Sequence, residues 1–286
     1  FFKPVIDLVE SKTNVIYVKN DGLYNNVNLE SLYDENTNKY LIDLYDIRYI
    51  EKTKSIFNKQ NIEIKNAFLF GNPNFGKGSS SSILRSGLNQ LTNTKIEVEE
   101  INKILLKNSI KAISTDMNSS TEENLYMNLS SDIIHIATHG FFDEKRDTGF
   151  NFGLFATNAK ETMKNDFSNN YKNDGIIYGN EIYFKNFTKT DLVVLSACET
   201  GVGETNYLGA LNLTNSFIRA GAKNVISTLW EVDDKVTKDF MIMFYSELMK
   251  DLNISKSLRD TKFMIRNKYK NPKYWAGFVL TQNLIY

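Results

Sequence analysis

Short apolar runs alternate with longer stretches of helical pattern along the chain. "TNVIYVK" (13–19) predicts a strand closed by the Asp21-Gly22 turn. In "KYLIDLYDIRYI" (39–50), Tyr40, Ile42 and Leu44 alternate, then Ile47 and Tyr49, which predicts two short strands or one bent strand. "NAFLFGNP" (66–73) predicts a short buried strand that stops at Gly and Pro. The mostly 3–4 spacing of Ile96, Val98, Ile101, Ile104 and Leu105 predicts a helix over 95–108, with a strand at 109–114. "STEENLYMNLS" (120–130) predicts a helix opened by a capping box of Ser120 and Glu123.

Three later runs are continuous and rich in β-branched residues: "DIIHIAT" (132–138), "DLVVLSA" (191–197) and "KNVISTLW" (223–230). That is the pattern of strands buried on both faces of a parallel sheet. Helical patterns at 207–221, 233–250 and 254–269 alternate with them, the first stopped by Gly221. Pro272 breaks the chain, and "WAGFVLTQ" (275–282) closes it as a strand. Such alternation implies an α/β fold with a largely parallel central sheet. The polar segment 157–175 predicts the main loop, and "GKGSSSS" (76–82) a flexible one.

Composition narrows the classes. The chain has 286 residues and a formal net charge of zero. Direct nucleic-acid or anionic-membrane binding, which needs a positive field, is not expected. A single cysteine allows no internal disulfide, and the apolar runs are too short to span a bilayer. No signal peptide is visible, so the expected location is cytoplasmic. The opening "FFKPV" lacks Met, which predicts a fragment or a processed form.

The candidate chemistry lies at two strand ends. His139 and Gly140 follow the first β-branched run; Cys198, Glu199, Thr200 and Gly201 follow the second. In an open parallel sheet, sites form at the carboxyl ends of strands. Neighbouring strands would bring His139 and Cys198 to one edge. A free thiol is only a few per cent thiolate at neutral pH, and an adjacent imidazole takes its proton. The same imidazole then protonates a leaving amine. Backbone N–H groups of Gly140 and Cys198 are natural donors to a developing oxyanion. The competing reading of a lone Cys at a strand end is a small buried hydrophobe.

"IIHIATHGFF", "DLVVLSACETGVGE" and "GAKNVISTLWEVDD" resemble the signature stretches of the CHAT domain, a family of caspase- and separase-like cysteine peptidases. "YLIDLYDIRYI", "FLFGNPNF" and "WAGFVLTQ" extend the resemblance over nearly the whole chain. The resemblance implies a caspase-like α/β/α sandwich, with a degenerate half over 1–120 and the active half over 121–286. It implies His139 as catalytic base, Cys198 as nucleophile, and Gly140 and Cys198 as oxyanion donors. No metal or cofactor is implied. The expected activity is endopeptidase cleavage of a protein substrate. An upstream TPR-like regulatory domain or an activator complex would switch it on, within a bacterial defence or signalling system. The alternative is a CHAT scaffold that no longer cuts.

Other residues admit two readings each. Glu199 lines the pocket or caps the following turn. Trp230 walls the substrate groove or belongs to the core. Asp233 and Asp234 receive a basic side chain at P1 (the residue before the scissile bond), as the related separases imply, or open a helix. An apolar P1, also implied by some relatives, would need neither, and Arg219 is poorly placed on a helix to receive an acidic one. His135 reads as a structural histidine. Gly71, Gly76 and Lys77 nearly match a phosphate loop, but Gly78 stands where Ser or Thr is required. Segment 157–175 is a processing site, a lid or plain linker.

Overall fold

The computed structural model describes residues 9, 12–20, 27–50, 62–76, 88–142, 151–164, 173–197 and 206–283. The chain opens with strands β1 (Val15–Val18), β2 (Tyr33–Asp34), β3 (Lys39–Tyr40), β4 (Asp46–Ile50) and β5 (Asn66–Gly71). Helix α1 (Thr92–Lys107), β6 (Lys111–Ser114), α2 (Glu122–Met127) and β7 (Ile133–Ala137) follow. Next come β8 (Gly140–Phe142), β9 (Phe152–Phe155), α3 (Ala159–Lys164), β10 (Ile176–Tyr178) and α4 (Gly179–Tyr183). The rest is β11 (Leu192–Ser196), α5 (Asn206–Arg219), β12 (Asn224–Thr228), α6 (Asp234–Asp251), α7 (Ile254–Lys268) and β13 (Phe278–Gln282).

Eight strands form one sheet in the order β1-β4-β13-β12-β11-β7-β5-β6. Strands from before and after residue 120 share it. Every neighbouring pair is parallel except β12 with β13. The β-branched runs demand cover on both faces, and they receive it. Ile133, Leu192, Val194 and Ile226 pack with Val98 of α1, Phe240 and Phe244 of α6 and Leu258 of α7. The alternate residues Ile134, Ile136, Val193 and Val225 pack with Leu125 of α2, Ile182 of α4 and Phe217 of α5. This is the largely parallel sheet that the alternation implies, in the three-layered α/β/α arrangement that the family resemblance implies.

Local signals account for most element ends. Buried Thr94, Val98, Ile101 and Leu105 give α1 its inward face. Gly221 follows α5 at φ +109°, where a side chain would meet Thr188. Three readings need correction. A helical turn, Leu41–Leu44, interrupts the 39–50 segment. The cap of α2 is Thr121, whose hydroxyl accepts from the Asn124 N–H. Ser120 is instead spent on the carbonyls of Gly71 and Asp116. Segment 157–175 is not all loop, since α3 lies within it. A small antiparallel sheet, β10-β9-β8, flanks that segment; its strands are too short to show a period.

The two ends of this connector meet, the Ala156 N–H donating to the Gly175 carbonyl at 2.7 Å. A group of carboxyls holds the junction. Glu122 accepts from the Gly175 N–H at 2.7 Å, Asp174 from Ile176 N–H at 2.9 Å, and Glu181 from Tyr178 N–H at 3.0 Å. Burial, helped by the charges of Asp174 and Glu181, pushes Glu122 up to about 8 from 4.5. Burial likewise raises Asp174 from 3.8 to about 6. The folded chain therefore keeps protons that the unfolded chain releases, so stability falls as pH rises from about 4.5 to about 8. We expect the thermal midpoint to drop between those pH values and the Glu122→Gln variant to show a flatter profile. An equally steep profile in that variant would remove Glu122 as the cause.

Candidate active site

Parallel pairing aligns β7 with β11 from Ile133 opposite Leu192 to Ala137 opposite Ser196. His139 stands two positions beyond Ala137, and Cys198 two positions beyond Ser196. Cys198 and Glu199 lie outside the described residues, which end on this strand at Ala197. The neighbouring strand β5 also aligns here, with Gly71 opposite Ala137.

His139 is buried, at 2% exposure, with its ring 5.3 Å from that of Phe75. Its Nε2 lies 2.7 Å from the backbone carbonyl of Asn89, just before α1. A carbonyl only accepts, so Nε2 carries the proton. In the neutral ring Nδ1 is then the basic nitrogen. The backbone around it is held from β9. The Thr138 hydroxyl donates to the Phe155 carbonyl at 2.6 Å, and the Phe155 N–H donates to the His139 carbonyl at 2.9 Å. Gly140 opens β8 opposite Leu154 and is buried.

A cleft of about 50 Å³ opens beside His139, between the ends of β7 and β11 and the first turns of α1 and α6. Leu91 and Val232 supply its apolar wall. Thr94, Thr138 and Thr237 line it as well, with Ser196 beside them. Ser196 is 4% exposed, and its Oγ has no hydrogen-bond partner among the described residues. Glu231 and Asp234 add two carboxylates, and no Lys or Arg is among the described lining. The Asn93 amide donates to Asp234 Oδ2 at 2.6 Å, which fixes one oxygen of that carboxylate.

The two adjacent aspartates divide. Asp233 caps α6, its Oδ1 accepting from the N–H groups of Lys235 and Val236, while Asp234 faces the cleft. Trp230 is half-buried, and its Nε1–H donates to the Lys273 carbonyl at 2.9 Å. It rests on Gly277 and ties the end of β12 to the turn before β13; it is not in the cleft wall. His135 is fully buried and bonded to Glu97 and Tyr245. Gly71 has a packing reason, since a Cβ there would lie 2.5 Å from Val98 of α1. Lys77 and Gly78 lie outside the described residues.

Sequence reasoning missed Ser196, Glu231 and the Asn89 carbonyl. Ser196 stands two positions before the cysteine, inside the run read only as strand. Glu231 stands in "LWEVDD", where the two aspartates drew the argument. A backbone carbonyl leaves no sequence signal at all.

A family model described as the CHAT domain matches residues 1–283. Mouse tetratricopeptide repeat protein 28 is 36% identical over 91 residues, 31% of this chain, and this chain spans about 4% of that protein's length. Among solved structures, the complex of Porphyromonas gingivalis RgpB pro- and mature domains covers 98% of this chain and 66% of its own, at TM-score 0.54 and 10% identity. The Arg-specific cysteine proteinase gingipain R covers 82% and 54%, at TM-score 0.51 and 11% identity. At these identities the likeness to solved structures is one of fold.

The division between the two aspartates is measurable. Asp233→Ala should lower unfolding free energy by about 1 kcal/mol through loss of the cap. Asp234→Asn keeps an acceptor for Asn93 and should stay within about 0.5 kcal/mol of the parent. Urea unfolding midpoints test both, and a larger loss from Asp234→Asn would make that residue a structural one.

Proposed function

We propose that this chain, which belongs to the CHAT domain family, is a cysteine endopeptidase that works through His139 and Cys198. The observation that carries the proposal is the state of His139. Its Nε2–H is engaged by a carbonyl, so Nδ1 serves as base at the edge where the cysteine strand ends.

In this mechanism Nδ1 of His139 takes the Cys198 proton as sulfur attacks the scissile carbonyl. The carbonyl π electrons move to oxygen, and the N–H groups of Gly140 and Cys198 hold the oxyanion. On collapse the C–N bond breaks, and the imidazolium returns its proton to the leaving amine. Water, deprotonated by the same nitrogen, hydrolyses the thioester and restores the thiol. The carbonyl of Asn89 steadies the ring when it is charged, since both ring nitrogens are then donors.

The cleft supports a basic P1 residue. Two carboxylates, with no Lys or Arg among the described lining residues, leave a negative field that an Arg or Lys side chain neutralises. Ser196 Oγ offers an acceptor at the cleft wall. The likeness to a tetratricopeptide repeat protein supports a TPR-type regulatory partner, and the fold supports a protein substrate.

A positional-scanning peptide library tests the reading. Cleavage after Lys or Arg should appear in the parent and vanish in Cys198→Ala. Asp234→Asn should lower kcat/KM for basic P1 by about 10- to 100-fold, the effect of one charge-assisted hydrogen bond, and leave apolar P1 unchanged. Iodoacetamide should alkylate Cys198 faster than a free thiol at neutral pH. No cleavage together with slow alkylation would leave a binding scaffold.

A further inference from the structure

Glu97, His135 and Tyr245 form a buried chain of polar groups that the mechanism does not use. They are 1%, 0% and 0% exposed. Nε2 of His135 lies 2.9 Å from Glu97 Oε1, and its Nδ1 lies 3.3 Å from the Tyr245 hydroxyl. The two rings meet edge-on at 5.5 Å. Burial, with the Glu97 charge, holds the Tyr245 hydroxyl well above its ordinary value, so it keeps its proton. Tyr245 therefore donates to Nδ1, and His135 donates from Nε2 to the carboxylate.

Stability does not explain this chain. It sits within the apolar layer that holds Leu69, Val98, Val194 and Phe244. Glu97 Oε2 has no partner among the described residues. Well-packed apolar residues of similar volume do as well or better in such places. What hydrogen bonds add is register, because they are directional and apolar contacts are not.

The three residues lie on three of the four elements that frame the cleft. His135 is on β7, four positions before His139. Glu97 is on α1, one turn after Thr94 of the cleft wall. The same helix begins just after Asn89, which holds His139 Nε2, and carries Asn93, which holds Asp234. Tyr245 is on α6, whose first turn carries Asp234 and Thr237. A slip of α1 along β7 would carry the Asn89 carbonyl away from the imidazole.

We infer that Glu97, His135 and Tyr245 are positioning residues that register α1 and α6 against β7 and so fix the tautomer of His139. The catalytic meaning of that role rests on the peptidase reading, but the tautomer itself does not. The chain has two histidines, so ring ¹⁵N–¹H spectra contain two spin systems, and a His139→Gln variant, which keeps only the His135 signals, tells them apart. The parent should show His139 protonated at Nε2. Tyr245→Phe removes one hydroxyl and keeps the ring, and Glu97→Gln removes the charge and keeps an acceptor. Both should move the His139 nitrogens toward the values of mixed tautomers. Ile265→Ala, a cavity in the same apolar layer but on α7, which carries none of the three residues, should destabilise the protein and leave them unmoved. If the peptidase reading also holds, Tyr245→Phe should lower kcat by about 10- to 100-fold with little change in KM. His139 resonances unmoved in Tyr245→Phe would overturn the inference, whether or not the parent cleaves peptides.

Discussion

The parallel pairing of β7 with β11 is the constraint on which the site depends. Both strands are buried on both faces, so their register cannot slip by one residue without exchanging core layers. The same pairing decides which residues come next at the shared edge. His139 and Cys198 each stand two positions along the sequence from the last register pair, Ala137 and Ser196. Everything else at the edge is arranged around that fact. Helices α1 and α6 bring their first turns to it, and β9 closes it from the side.

Much of this was legible because the signals were strong and local. Continuous β-branched runs marked β7, β11 and β12, and with them the sheet edge at which His139 and the cleft lie. Helix α1 declared itself through Val98, Ile101 and Leu105. What stayed hidden was tertiary. Strands β8, β9 and β10 are three or four residues long and are specified by pairing with one another, not by a pattern of their own. Ser120 looked like a cap, but the Gly71 carbonyl competes for its hydroxyl, and Thr121 takes the role one residue later. Asp233 and Asp234 were indistinguishable as letters; only the direction of α6 separates a capping carboxylate from one that faces the cleft.

Polar groups inside this protein are spent unevenly. At the carboxyl cluster around Glu122 they join a connector to the sandwich, and burial keeps the glutamate protonated. At His135 they cross-link three elements below the cleft. At Ser196 a hydroxyl stands beside open space. The first two make their hydrogen bonds within the chain, although Glu97 Oε2 and Asp174 Oδ2 find no partner among the described residues. Ser196 Oγ finds no partner among the described residues, and a buried hydroxyl without one is destabilising by about 1–3 kcal/mol.

The junction of Ala156 with Gly175 has a consequence for how such chains can diverge. An excursion whose ends are pinned together can lengthen or shorten with little penalty, since doubling a flexible loop costs only about 0.6 kcal/mol in closure entropy. The number of residues between the histidine and cysteine runs is therefore a poor ruler for the distance between them in space. Related chains are free to carry long insertions there while the two strand ends stay adjacent, because what holds the pair together is the ladder of β7 and β11 and not the chain that joins them.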